Sequence, residues 1–182
     1  MIIFDTETTG LLGPDGLPDE QQPAMIEFAG IKVDDNFQEV DRREWLINPW
    51  GSGRTGELPP AITKVTGIKS QQLFKQLDFA GVYPQLVDFF LGERAMLAHN
   101  CPFDRDVLAY NLGRIGKRLC FPWPQEHICT VQATIHIKNK RLKLADLHAM
   151  AFGKPHTGAH RAMADVEALV RVCVWLRGEG LL

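Results

Sequence analysis

Three short stretches of the chain place acids and a histidine where they could do chemistry. The first is Asp5-Thr6-Glu7-Thr8-Thr9-Gly10, which follows the apolar run IIF at residues 2–4. Side chains alternate along a strand, so Asp5 and Glu7 share one face and Thr6 takes the other. Two carboxylates side by side at an apolar strand end repel each other and lose hydration. That is costly unless protons or cations relieve it. The hexapeptide alone also fits two ordinary acids at a solvated strand end.

The second stretch is His99-Asn100-Cys101-Pro102-Phe103-Asp104, where a strand gives way to a helix. An acid at a helix start can satisfy backbone N–H groups and the helix dipole, so Asp104 taken singly fits a capping role. Asp106 points about 200° away from Asp104 on a helical wheel and reads as a solvated charge. The third stretch is HRAMADVEAL, carrying His160 and Asp165. Five residues apart on a regular helix, these two would lie about 140° apart. His160 is therefore expected in the preceding loop, GKPHTGAH, free to turn towards Asp165.

The elements that must position these residues follow from periodicity. Residues 2–5 read as a buried strand, and AMIEFAGIKVD and FQEVDRREWLIN as two more, joined by turn chemistry at Asp34-Asp35-Asn36 into a hairpin. FAGVYPQLVDFFLG reads as a helix with Pro84 near its first turn. AMLAHN reads as a strand, FDRDVLAYNLGRIG as a helix, and CFPWPQEHICT as a short strand with proline-rich flanks. TVQATIHI, LKLADLHAMAF and HRAMADVEALVRVCVWLRG complete the chain as helices. The sum is an α/β layer, helices packed on a mixed sheet.

Composition sets the outer bounds. The 182 residues are 45% hydrophobic and 23% charged, which suits one globular domain and excludes a disordered chain. No window approaches the roughly 18 apolar residues of a membrane span. The chain opens Met-Ile-Ile-Phe with no basic-then-apolar leader, and its four cysteines show no C-x-x-C spacing. A cytoplasmic, reducing location is expected. Twenty Lys+Arg against 22 Asp+Glu give a net charge of −2, so the chain is not a coat for nucleic acid. If it acts on nucleic acid it must grip a short stretch, with positive charge at the phosphate supplied by something other than side chains.

The ordered set D-x-E (Asp5, Glu7), N-x-x-F-D (Asn100, Phe103, Asp104) and H-x-x-x-x-D (His160, Asp165) resembles the DEDDh 3′–5′ exonucleases. This is the DnaQ-like group that includes proofreading subunits of bacterial DNA polymerases. The resemblance spans roughly residues 1–178, and the histidine separates this branch from a sister branch that places a tyrosine before the last acid. It implies a ribonuclease H-like fold, a five-stranded mixed sheet flanked by helices, in a single exonuclease domain over 1–182. It further implies that Asp5, Glu7, Asp104 and Asp165 bind metal and that His160 is the general base. Carboxylate oxygens suit Mg²⁺ or Mn²⁺. Two ions about 4 Å apart would serve in-line hydrolysis at the 3′ end of single-stranded or frayed DNA, releasing nucleoside 5′-monophosphates.

Around this set the substrate-contact candidates are Thr8, Leu11, His99, Asn100 and Phe103; His99 and Asn100, close to Asp104 in sequence, either position it or touch the substrate. Leu11 corresponds to a residue that wedges against the terminal base, with Leu12 as its neighbour and core packing as the alternative. Phe103 fits base stacking or core packing. Many relatives of the resembled family carry a histidine where Thr66 stands, before Gly67-Ile68, and this chain departs from them there. The basic run KNKRLK at 138–143 fits either a phosphate contact or a solvated face. RNA trimming, a catalytically silent module that binds nucleic-acid ends, and service to a polymerase or repair partner are the competing functional readings.

Overall fold

The computed structural model describes residues 1–182. Five strands, β1 (Ile2–Thr8), β2 (Met25–Val33), β3 (Glu39–Leu46), β4 (Ala95–Ala98) and β5 (Glu126–Cys129), form one sheet in the order β3-β2-β1-β4-β5. β1, β2 and β3 are antiparallel neighbours, whereas β4 runs parallel to β1 and β5 parallel to β4. The hairpin turn between β2 and β3 forms where expected, because Asp34 Oδ1 accepts the N–H groups of Asn36 and Gln38, both at 2.8 Å. Charged residues Glu39, Asp41, Arg42, Arg43 and Glu44 line edge strand β3, which blunts it against pairing with another chain.

Seven helices cover the sheet: α1 (Pro60–Thr66), α2 (Ser70–Leu73), α3 (Phe79–Phe90), α4 (Cys101–Arg114), α5 (Thr130–Lys138), α6 (Leu144–Phe152) and α7 (Ala162–Gly178). Alternation along β1 divides the core. Ile2 and Phe4 pack with Leu86, Phe89 and Phe90 of α3 and with Val107, Leu108 and Leu112 of α4. Ile3 turns the other way and packs with Ala29, Ile31 and Leu97 against Ala162, Val166, Leu169 and Cys173 of α7. Those four α7 residues are spaced by four, three and four, the stripe of a helix lying on a sheet. No helix is long and apolar enough to cross a membrane.

Two local outcomes differ from the sequence expectations. Pro84 lies in the second turn of α3, inside the helix and exposed, rather than in the first turn. The helix tolerates the missing N–H because Phe79, Val82, Leu86, Phe89 and Phe90 are all buried, each worth about 1.5–3 kcal/mol of apolar transfer. The short helices α1 and α2 form in a stretch to which the periodicity assigns no element: Pro60 starts α1 and left-handed Gly67 ends it. Thr66 closes that turn, donating to Ile62 O and accepting from Ile68 N.

Candidate active site

The acids gather where β1 and β4 end. Odd positions of β1 face α7, so Asp5 and Glu7 continue the side that Ile3 occupies. The parallel ladder between β1 and β4 pairs only Ile2 with Met96 and Ile3 with Leu97. Beyond it the Thr6 N–H would be left without a partner, and Asp104 takes it. Asp104 Oδ1 accepts from Thr6 N at 3.0 Å and from Thr6 Oγ1 at 2.7 Å. Asp104 is only 3% exposed, in the first turn of α4, so β1 and α4 are fixed to each other through a buried carboxylate.

Asp165 comes from the first turn of α7, and the loop before it supplies His160. His160 lies outside the helix, with φ +67, a left-handed conformation uncommon for a residue with a side chain. Its N–H donates to Asp165 Oδ2 at 3.0 Å. The next residue anchors this strained turn. Arg161 donates through Nε and Nη2 to Glu27, and Ala162 N donates to Glu27 Oε2 at 2.9 Å. Glu27 sits on β2 directly opposite Glu7, fully buried, and so ties the start of α7 to the sheet. Glu27 is buried but the Arg161 side chain is half-exposed, so removing the cation leaves a buried carboxylate that keeps only the Ala162 N–H, at a cost of about 1–3 kcal/mol. Arg161→Ala is therefore expected to lower stability by about that amount in urea melts, while Arg161→Lys recovers part of it.

A second histidine completes the frame. His156 Nε2 lies 2.5 Å from Asp165 Oδ1, with the side chain 2% exposed. The carboxylate can only accept, so the imidazole donates from Nε2, leaving Nδ1 buried without a partner. Neither Glu27, Arg161 nor His156 was among the sequence candidates. The signals were present: an acid in the middle of the apolar run MIEFAGI demands a buried partner, and Arg161 adjoins His160.

The electrostatics are those of a crowded acid cluster. Burial drives Asp5 well above the ordinary carboxylate range, and Asp104, Glu7, Asp165 and Glu27 push it further. Burial, then Asp165, Glu27 and Asp104, pushes Glu7 up to about 8 against the opposing pull of Arg161. Asp104 is also raised by burial, although its hydrogen bonds from Thr6 oppose the shift. Ligand atoms of Glu7, His160 and Asp165 lie within 4.8 Å of one another, a span that one cation could bridge. Hard oxygen donors held close together with too little positive charge are suited to a divalent cation.

Asp5, Asp165 and His160 open into a cleft of about 410 Å³ that His99, Asn100, Arg141, Lys143 and His156 also line. A slightly larger cavity, about 470 Å³ beside Trp50 and Asn111, contains none of these acids. The substrate candidates divide. Leu11 is 87% exposed on the loop after β1, while Leu12 is tucked against the core. Phe103 is partly buried and packs on the same core. Thr8 is buried and its hydroxyl donates to Gly10 O at 2.5 Å. His99 uses both ring nitrogens internally, on Thr130 Oγ1 and Leu142 O, and burial holds its pKa below the usual histidine value. Asp106 is half-exposed, lies outside the lining of the cleft and pairs with Arg105.

This sheet, with acids at the ends of β1 and beyond β4, defines a ribonuclease H-like α/β protein. Escherichia coli exonuclease I, in its zinc-bound complex with single-stranded DNA, superposes with a TM-score of 0.74 at 20% identity, over 97% of this chain and 40% of that one. A 3′-exonuclease that recognises the histone mRNA stem-loop gives 0.76 at 18% identity, over 98% and 63%. The RNase T family of exonucleases matches residues 2–173, and the chain belongs to that family. A putative bifunctional exonuclease/endonuclease protein of Mycobacterium tuberculosis is 29% identical over 179 residues, covering 94% of this chain and 25% of that protein. The chain thus spans about a quarter of that relative's length.

Proposed function

We propose that the chain is a metal-dependent 3′–5′ exonuclease that removes nucleoside 5′-monophosphates from single-stranded or frayed DNA, with residues 1–182 acting as one catalytic domain. The observation that carries this reading is the meeting of Asp5, Glu7, Asp104 and Asp165 with His160 at one end of the sheet. The four carboxylates hold Mg²⁺ or Mn²⁺. Two such ions, when bound, supply Lewis-acid charge at the phosphoryl group and lower the pKa of a coordinated water. The chain's own work is to hold those oxygens in place and to move a proton. Thr6 fixes Asp104, His156 and the His160 N–H fix Asp165, and the Glu27–Arg161 pair fixes the turn that presents the His160 ring. That ring accepts the proton of the attacking water.

His156 acts on the metal through Asp165. Partners of metal ligands typically contribute 10–100-fold in affinity. His156→Leu is expected to weaken Mn²⁺ binding within about that range by calorimetry, and His156→Gln, which keeps a donor, to recover much of it. Activity is tested by digesting 5′-labelled single-stranded DNA with Mg²⁺. A ladder of shortened labelled products is expected, and an intact strand would contradict the proposal. A second reading keeps the chemistry and exchanges DNA for RNA, supported by the likeness to the histone-mRNA 3′-exonuclease. Discrimination depends on room and hydrogen bonding at the 2′-OH. Parallel digestion of matched DNA and RNA strands decides between them.

A further inference from the structure

Bound cations would balance the four carboxylates at the terminal phosphate, but the phosphates upstream of a 3′ end lodged there lie along the rim of the cleft, where side-chain cations can neutralise them. The run 138–143 holds four cations in six positions. Arg42, Arg43, Arg94, Arg105, Arg118 and Arg161 pair with carboxylates. Lys138, Lys140, Arg141 and Lys143 do not, nor do other surface cations such as Arg54, Lys64 and Arg171, so position rather than freedom from pairing distinguishes the run. The run also splits in two. Arg141 and Lys143 line the cleft that holds Asp5, Asp165 and His160. Lys138 and Lys140 line a separate hollow next to Asp146.

The two cleft cations are built into the frame of the acids. Leu142 between them is buried, and its carbonyl accepts from His99 Nε2 at 3.0 Å. Thr130 Oγ1 holds the other nitrogen of that ring at 2.9 Å. Arg141 Nη2 donates to Asn100 Oδ1, and Asn100 leads directly into α4 and Asp104. His99 and Asn100 thereby position the loop, and the loop aims its charges into the cleft.

We propose that Arg141 and Lys143 form a phosphate grip for a nucleic-acid strand whose 3′ end lies among the acids, with Lys138 and Lys140 outside it. This grip rests on the exonuclease reading for its purpose, but its test does not need turnover. Anisotropy of fluorescein-labelled dT10 is titrated in Ca²⁺ buffer from 50 to 200 mM salt, with melting curves to confirm that each variant is folded. Each phosphate neutralised on a single strand contributes about 0.7 to the slope of log affinity against log salt. R141Q/K143Q is expected to lose about 1.4 of that slope, which is about sevenfold less salt sensitivity over this range. K138Q/K140Q is expected to keep the wild-type slope, and R141K/K143R to restore it.

A wild-type slope in R141Q/K143Q, or equal losses in both glutamine pairs, overturns the grip. If the slopes change as expected but wild type with Mg²⁺ leaves labelled DNA and RNA intact, the grip stands and the exonuclease reading falls.

Discussion

Replacing Asp5 with Asn is expected to remove nuclease turnover and, without metal, to make the protein more stable. Loss of a ligand withdraws several kcal/mol of charge stabilisation, and each 1.4 kcal/mol is about tenfold, so turnover should fall about 10³-fold or more. The stability effect has the opposite sign. Asp5 and Glu7 have pKa values raised by burial and by their acidic neighbours, Glu7 from 4.5 to about 8. A carboxyl whose folded pKa is raised keeps its proton where the unfolded chain has lost it. Its favourable contribution is therefore whole below about pH 4 and is lost as pH rises through the raised value. Metal-free wild type should melt progressively lower between pH 4.5 and about 8, following Glu7. The Asp5→Asn variant should show a shallower decline. Mn²⁺ at a hundred times its dissociation constant adds about 2.7 kcal/mol, or roughly 5–10 °C for a chain of this size. The variant should gain much less. Scanning calorimetry at pH 5 and pH 8, with and without Mn²⁺, reads all three effects.

Replacing His160 with Asn should lower turnover by about 10²–10⁴, the usual contribution of a general base, while leaving Mn²⁺ affinity within about twofold. Asn is the informative choice because residue 160 has φ +67, a conformation asparagine adopts readily and alanine does not. The bond to Asp165 comes from the backbone N–H, so it survives the substitution. Titration calorimetry beside single-turnover kinetics separates the outcomes. Equal losses in both would make His160 a metal ligand, a role its closeness to Glu7 and Asp165 also permits geometrically.

Much of the frame could be read from local pattern. Alternation puts Asp5 and Glu7 on one side of β1, and helical geometry puts His160 outside α7; both follow from a few neighbouring residues. What escaped the sequence depends on distant neighbours. Asp104 meets Thr6 because the β1–β4 ladder stops after Ile3, and nothing near residue 104 reveals where that pairing ends. Glu27 faces Glu7 only through the register of β1 on β2, so its part in holding Arg161 is invisible along the chain. His99 could be placed near Asp104, but its engagement with Leu142 required the fold of the 139–143 loop. Pro84 shows the same limit from the other side. A local rule put it at a helix start, and the buried face of α3 overrode that rule.

The proposal that Asp5, Glu7, Asp104 and Asp165 together hold divalent ions is tested most directly by anomalous diffraction from crystals soaked in Mn²⁺. Two strong peaks in the cleft, with oxygens of these four side chains around them, are the expected result. A cleft without anomalous signal at saturating Mn²⁺ would contradict it.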